Sequence, residues 1–282
     1  MLKVVLLFLP FTMASININI NPATKFSKET VDITGFEESR TTETELKTFQ
    51  ITEQSVLYNL PRRGYTAPTY AHVLNADYYG YKPLKTLLVP LKATIVDHGT
   101  RNVLVTVKEF HNNSSAPSVA KGGIKEEVLE TLSTTWSKGG ELSIARQITL
   151  KHGSRSYSYT SNWGEEVHKS KTKILTTTSD VEVSLKPGQS VKAILSATKA
   201  TLSLKVDYSA SVHGDIYCRY TFFFIPTYGQ EFEVNKYLDL MNLPHSVTSS
   251  EIISVDYYYG AQVVIKDIET DKSLLIEPVL ML

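Results

Sequence analysis

Hydrophobic and polar positions alternate with a period of two along most of this chain beyond residue 85, and that period predicts strands. The clearest instance runs from Leu142 to Trp163. Its first arm sets Leu142, Ile144, Ile148 and Leu150 against Ser143, Ala145, Gln147, Thr149 and Lys151; its second sets Tyr157, Tyr159 and Trp163 against Ser156, Ser158, Thr160 and Asn162. Lys151 to Ser154, with Gly153, supplies a reversal, so the segment is expected to be a hairpin with one apolar and one polar face. A longer run follows, in which Ala200, Leu202, Leu204, Val206, Tyr208, Ala210 and Val212 share one face and Ser203, Lys205, Asp207, Ser209 and Ser211 the other. Strands in globular proteins are commonest at about five or six residues, so strands this long, in series, predict an elongated, twisted antiparallel sheet. KTLLVPLKATIV and RNVLVTVKEF are expected as two strands joined by a turn. Further strands are expected in IKEEVLETLSTTW, in EEVHKSKTKILTTTSDVEVSL before a Pro187-Gly188 turn, and in EIISVDYYYGAQVVIKD, bent near Gly260. TETELKTFQITEQSVLYNL carries a weak strand alternation. Only FEVNKYLDLMNLP, stopped by Pro244, has a helical pattern. The expected fold class is all-β.

Composition narrows the setting. With 282 residues, 42% of them hydrophobic, the chain can bury a substantial core. Its formal net charge is zero, which argues against nucleic acid as a partner and against strong attraction to acidic membranes. MLKVVLLFLPFTMAS has an early lysine, an apolar run and small residues around Ala14, the pattern of a secretory leader, and Pro10 sits badly in a first strand. The expected organisation is a leader over 1–14, a head over 15–84 and a β-rich module over 85–282, in a secreted, extracellular protein. Cys218 is the single cysteine, so no internal disulfide forms. Asn112 and Asn113 begin overlapping glycosylation sequons in Asn-Asn-Ser-Ser, usable on a secretory route. Tyr65, Tyr70, Tyr78, Tyr79 and Tyr81 crowd together in the front part. Aromatic faces stack on sugars, so these five are candidates for a protein or glycan receptor, with core and turn filling as the alternative.

Signatures of catalysis are absent: there is no G-x-S-x-G, H-E-x-x-H, phosphate-cradling glycine loop or C-x-x-C. The seven histidines are scattered without metal-ligand spacing. No enzyme activity, catalytic residue, metal or cofactor is expected.

A β-strand crosses a bilayer in about 9–11 residues, and Leu142–Leu150 and Arg155–Trp163 supply nine each. In a transmembrane barrel Leu142, Ile144, Ile148, Leu150, Tyr157, Tyr159 and Trp163 would face lipid, with the aromatics suited to the interface. Ser143, Ala145, Gln147, Thr149, Ser156, Ser158 and Thr160 would face the lumen. Two strands cannot close a barrel, so spanning implies several copies. The alternative is an ordinary surface hairpin packed on the sheet behind it. Arg146 falls on the apolar face and favours that alternative, because at mid-membrane it would cost about 2–4 kcal/mol.

The order of these parts resembles the aerolysin-like β-pore-forming proteins, in the branch of epsilon toxin and the mosquitocidal toxins, with the nearest look to spherulin-like eukaryotic members. The residues that carry the resemblance are the Ser/Thr-rich strands flanking the amphipathic hairpin, VSLKPGQSVKAILSATKATLSLKVDYSASVHGDI, and SSEIISVDYYYGAQVVIKD. It covers roughly residues 85 to 270. The resemblance implies a secreted monomer that forms a homo-oligomer on a lipid bilayer and inserts its hairpin into a shared barrel. A non-lytic structural or storage glycoprotein on the same fold, and a glycan-binding module, are the rival expectations.

Overall fold

The structure is a computed structural model that describes residues 15–21, 30–60, 68–74, 80, 82–137, 142, 144–177, 181–222 and 225–281. The expected leader over 1–14 lies outside the described residues. In chain order the elements are β1 (Ile16–Asn21), β2 (Thr30–Thr34), β3 (Glu37–Arg40), α1 (Glu43–Thr48), α2 (Glu53–Asn59), β4 (Pro68–His72), β5 (Lys85–His111), β6 (Ser118–Gly122), β7 (Lys125–Trp136), β8 (Ala145–His152), β9 (Arg155–Asn162), β10 (His168–Thr177), β11 (Val181–Leu185), β12 (Ser190–His213), β13 (Asp215–Phe222), β14 (Ile225–Glu233), α3 (Val234–Leu240), β15 (Ser246–Asp267) and β16 (Ser273–Met281). The fold is all-β, as the alternation predicts.

β5, β12 and β15 have 27, 24 and 22 residues, far beyond the common strand length. Along β12 the buried positions alternate without interruption from Ala200 to Val212, each at most 1% exposed. One expectation fails here. KTLLVPLKATIV and RNVLVTVKEF are one strand, not two: Gly99, in the expected turn, keeps a negative φ inside β5. Its neighbour in the sheet is the unbroken β12, and Thr198 Oγ1 donates to Asn102 Oδ1 at 3.0 Å on that side. A partner strand that continues past a weak turn signal keeps the backbone extended, because turning would leave its ladder unpaired.

The second correction concerns residues 43–59, which form two short helices rather than a strand. Thr42 accepts from the Glu45 N–H while the Glu45 carboxylate accepts from the Thr42 N–H, and Thr52 and Ser55 form the same reciprocal pair at the start of α2. Two capping boxes thereby satisfy the first donors of two short helices. Glu45 is fully buried and also accepts from Thr86 Oγ1 at 3.1 Å, so the cap is tied into the core. α3 forms where the helical pattern predicts; it ends at Leu240, and Asn242 follows the cap with φ 53, just before Pro244.

The chain divides into two compact units, neither of them contiguous. The first takes residues 1–94, 135–166 and 205–251; the second takes 95–134, 167–204 and 252–282. The expected head, 15–84, lies within the first unit, and the expected module, 85–282, is shared between both. The first unit holds the sheet β2-β1-β8-β9, the sheet β14-β13-β4 and the three helices. In the second, Val128, Leu175, Val191, Leu195, Val263 and Ile265 form part of one buried cluster, with β6 and β11 paired antiparallel beside it.

Candidate functional site

The expected hairpin is present. β8 and β9 pair antiparallel from Ala145↔Asn162 to His152↔Arg155, and the Trp163 N–H extends the ladder to the Ile144 carbonyl at 3.1 Å. Gly153 turns the chain with φ +57 at the first central position, where a two-residue II′ hairpin requires glycine. On the other side of β8 lies β1, parallel, from Ile16↔Ile148 to Ile20↔His152. The sequence INININ puts Ile16, Ile18 and Ile20 inward, all 3% exposed or less. That period-two signal was available in residues 15–60 but sits in a polar, threonine-rich setting that hides it.

The two faces separate as the pattern predicts. Leu142, Ile144, Ile148, Leu150, Tyr159 and Trp163 are buried, and Tyr157 is half-buried. Ala145, Gln147, Ser156, Ser158 and Thr160 are exposed and Thr149 half-buried, while Ser143 lies outside the described residues. Ser158 and Thr149 join their hydroxyls at 3.1 Å across the outer face.

Arg146 occupies the inner face with its side chain fully buried. Its Nη2 donates to Glu251 Oε1 at 2.7 Å, and Nη1 donates to the carbonyls of Ser161 and Asn162. Its guanidinium lies 4.4 Å from the ring centre of Trp136, within cation–π range. Glu251, also fully buried, accepts from Tyr159 Oη at 3.3 Å and from Tyr208 Oη at 3.0 Å. Burial, and then the Glu251 carboxylate beside it, push the Tyr208 phenol well above its ordinary range, so it stays protonated as a donor. Trp136 stands 5.2 Å from Trp163 and 5.5 Å from Tyr208, ring centre to ring centre. The charge on the apolar stripe is thus answered by a carboxylate 105 positions away. Sequence reasoning gave no role to Glu251 or Tyr208, because an alternating strand pattern does not say which strand faces which.

A second carboxylate holds β8 from the side. The Gln147 N–H, one residue before β1 takes up the ladder, donates to Glu37 Oε1 at 3.0 Å. Burial raises the Glu37 carboxyl above its ordinary value, and that hydrogen bond opposes the rise.

Of the other candidates, Tyr70 lies in β4, its backbone opposite Arg219, while Tyr65, Tyr78, Tyr79 and Tyr81 fall outside the described residues. Asn112 is 3% exposed, and its amide donates to the carbonyls of Ala116, Leu185 and Lys186; Asn113 is exposed. Cys218 is buried, and burial pushes its thiol up to about 12. Among the described residues no three His, Cys, Asp or Glu side chains are placed to hold a metal, and no helix is long and apolar enough to cross a membrane. A cleft of about 1160 Å³ opens in the first unit, lined among others by Lys82, Lys85, His213, Asp215 and Lys236.

Among solved structures the chain is similar to parasporin-2, a Bacillus thuringiensis toxin that recognizes cancer cells, with a TM-score of 0.58 over 88% of this chain and 100% of that one at 14% identity. The fold is aerolysin-like. Among proteins of known sequence, the chain is 28% identical over 193 residues to U-megalopygitoxin(8)-Mo12 of Megalopyge opercularis, covering 67% of each. It is 26% identical over 211 residues to U-megalopygitoxin(8)-Mo15 of the same organism, covering 73% of this chain and 67% of that one. No family model matches. An aerolysin-like fold and toxin-named relatives therefore stand together on this chain, and neither selects a branch within that fold.

Proposed function

We propose that this is a secreted, toxin-like protein that binds a target membrane, assembles there into a homo-oligomer and inserts the hairpin Leu142–Trp163 of each copy into a closed β-barrel. The observation that carries the proposal is the hairpin itself, whose apolar side chains are buried and whose Ser/Thr-rich face is open to water in strict alternation. Ile144–His152 and Arg155–Trp163 have nine residues each, within the length a tilted strand needs to cross. The aerolysin-like fold and the toxin-named relatives support the same reading. A protein or glycan receptor on the target cell belongs to this reading, with Tyr70 and the cleft beside Lys85 and His213 as candidates for its seat. No chemical step is assigned to the chain.

One observation favours a second reading. Arg146 is ion-paired in the core rather than exposed, which suits a hairpin that stays docked, as in a secreted structural or storage glycoprotein.

The test uses single-cysteine variants in a Cys218→Ala background: Ile144→Cys, Ala145→Cys, Ile148→Cys and Thr149→Cys. Small polarity-sensitive dyes are attached to the unfolded chain before refolding. On liposomes whose acyl chains carry a quencher, dyes at Ile144 and Ile148, already buried in the docked hairpin, should become quenched by the lipid, and those at Ala145 and Thr149 should stay open to water, because neighbouring strand residues point to opposite faces. Ring-shaped assemblies should appear in negative stain. Bound protein with all four dyes unchanged and no rings leaves only the docked reading.

A further inference from the structure

Arg146 is the fully buried charge on the apolar face of the hairpin. Glu251 answers it while the hairpin is docked, and an inserted strand tolerates a cation near the interface. Resting on the insertion reading above, we infer that Arg146 is a transferable latch residue: it pairs with the Glu251 carboxylate while the hairpin is docked, and with a lipid phosphate after the hairpin has left.

The docked half of the inference stands on four elements of the first unit. Arg146 on β8 and Tyr159 on β9 both donate to Glu251 on β15, which also receives Tyr208 from β12. The side-chain hydrogen bonds of Arg146 and Tyr159 thus meet on one carboxylate, beside the β1 ladder and the Glu37 bond to the Gln147 N–H. Buried ion pairs add little net stability compared with apolar side chains of the same size, because both ions surrender their water. The same bookkeeping makes them easy to open towards water, since the ions recover that hydration when they part. The network is also incomplete, with Arg146 Nε and Trp136 Nε1 lacking hydrogen-bond partners among the described residues. An all-apolar contact here would hold the hairpin at least as firmly and would give nothing back on opening.

The released half follows from position along the strand. In a nine-residue crossing from Ile144 to His152, Arg146 is two residues from the near end. That is about 7 Å along the strand and about 5 Å in depth at a tilt near 45°. A guanidinium on its flexible stem reaches the headgroups from there, and the penalty for a cation falls away near the interface. A phosphodiester offers the same paired oxygens that Glu251 offers, and guanidinium matches both geometries. The partner exchanges while the chemistry of the pair is kept.

The full-length chain is tested in two settings. In solution, Glu251→Gln should speed hydrogen exchange of the β8 and β9 amides about tenfold or more while β6 and β11 in the second unit are unchanged. Tyr208→Phe, which removes one donor and keeps the ring, should do the same more weakly, and it serves if Glu251→Gln does not fold. Unchanged β8–β9 exchange in both variants, or an equal rise in both units, overturns the latch. On vesicles, quenching of a dye on Ile148→Cys by labelled acyl chains follows insertion, since that position is already buried while the hairpin is docked. The paired change Arg146→Met with Glu251→Met should slow insertion about tenfold on phosphatidylcholine. The unaltered latch should insert more slowly on digalactosyldiacylglycerol, which lacks phosphate, and the paired variant should not distinguish the two lipids. Equal rates on both lipids for the unaltered latch overturn the exchange of partners but leave the insertion reading intact. A native Ile148 dye that never leaves its docked environment overturns the insertion reading and the lipid half together, and the exchange result alone then decides the latch.

Discussion

A guanidinium with no exposed surface needs its charge answered within the fold, and Arg146 meets a carboxylate, two carbonyls and an indole face, with Nε alone of its nitrogens lacking a hydrogen-bond partner among the described residues. The contrast with Asp267 is instructive, because there a half-buried carboxylate is held by hydrogen bonds alone. Gln189 Nε2 donates to its Oδ2 at 2.7 Å, and the N–H groups of Thr270 and Glu269 with the Thr270 hydroxyl donate to its Oδ1. Led by the Gln189 bond, these hold the carboxyl down at about 2 against an ordinary 3.8. The folded value is depressed, so the stability this group contributes is present above the ordinary carboxylate value and is lost as pH falls towards about 2. In a carbon-detected NMR titration, Asp267 should titrate near 2, and in Gln189→Ala its midpoint should move up towards 3.8. A native midpoint already near the ordinary value means that the turn between β15 and β16 does not hold the carboxylate as described.

Among the elements, those governed by side-chain alternation were legible and those governed by backbone satisfaction were not. β12, the hairpin and β15 announce themselves because most of their inner positions are apolar at every second residue, with Arg146 and Glu251 the charged exceptions. α1 and α2 do not, since six- and seven-residue helices offer too few turns for a 3.6-residue stripe. Their signal was the pair Thr42 and Glu45, three apart, followed by Thr52 and Ser55. The continuity of β5 was hidden for a different reason: Asp97-His98-Gly99 has turn composition, and the neighbouring strand overrides it. Of the candidate site, both faces of the hairpin could be read, but the partner of Arg146 could not, because a pairing across 105 positions is set by topology. If the capping boxes decide α1, then Thr42→Ala should cost about 1 kcal/mol, within a range of about 0.5–2. Urea unfolding measures it, and Thr42→Ser should restore most of the loss. An unchanged midpoint in Thr42→Ala assigns the helix to packing of Leu46 and Phe49 instead.

Over the whole molecule, two interleaved units are assembled from three stretches of chain each. The sequon pair lies in the second of them and separates an accessible from an inaccessible asparagine. A chain expressed through a eukaryotic secretory route should carry its glycan on Asn113: Asn113→Gln should abolish the mobility shift removed by glycosidase. Asn112→Gln should keep the glycan and lose stability, because three carbonyls lose their donor. A shift that depends on Asn112 alone reverses this assignment. The distance in sequence between Arg146 and Glu251 has a consequence in time. A ribosome adds about 5–20 residues per second, so with 105 positions between them Arg146 and its arm of the hairpin are made about 5–20 s before the carboxylate that closes over them. During that interval the arm's apolar face belongs to a nascent chain and must be shielded by β1, by the translocation machinery or by a chaperone. Slowing translation between residues 162 and 251 lengthens the exposure without altering a single contact of the finished fold.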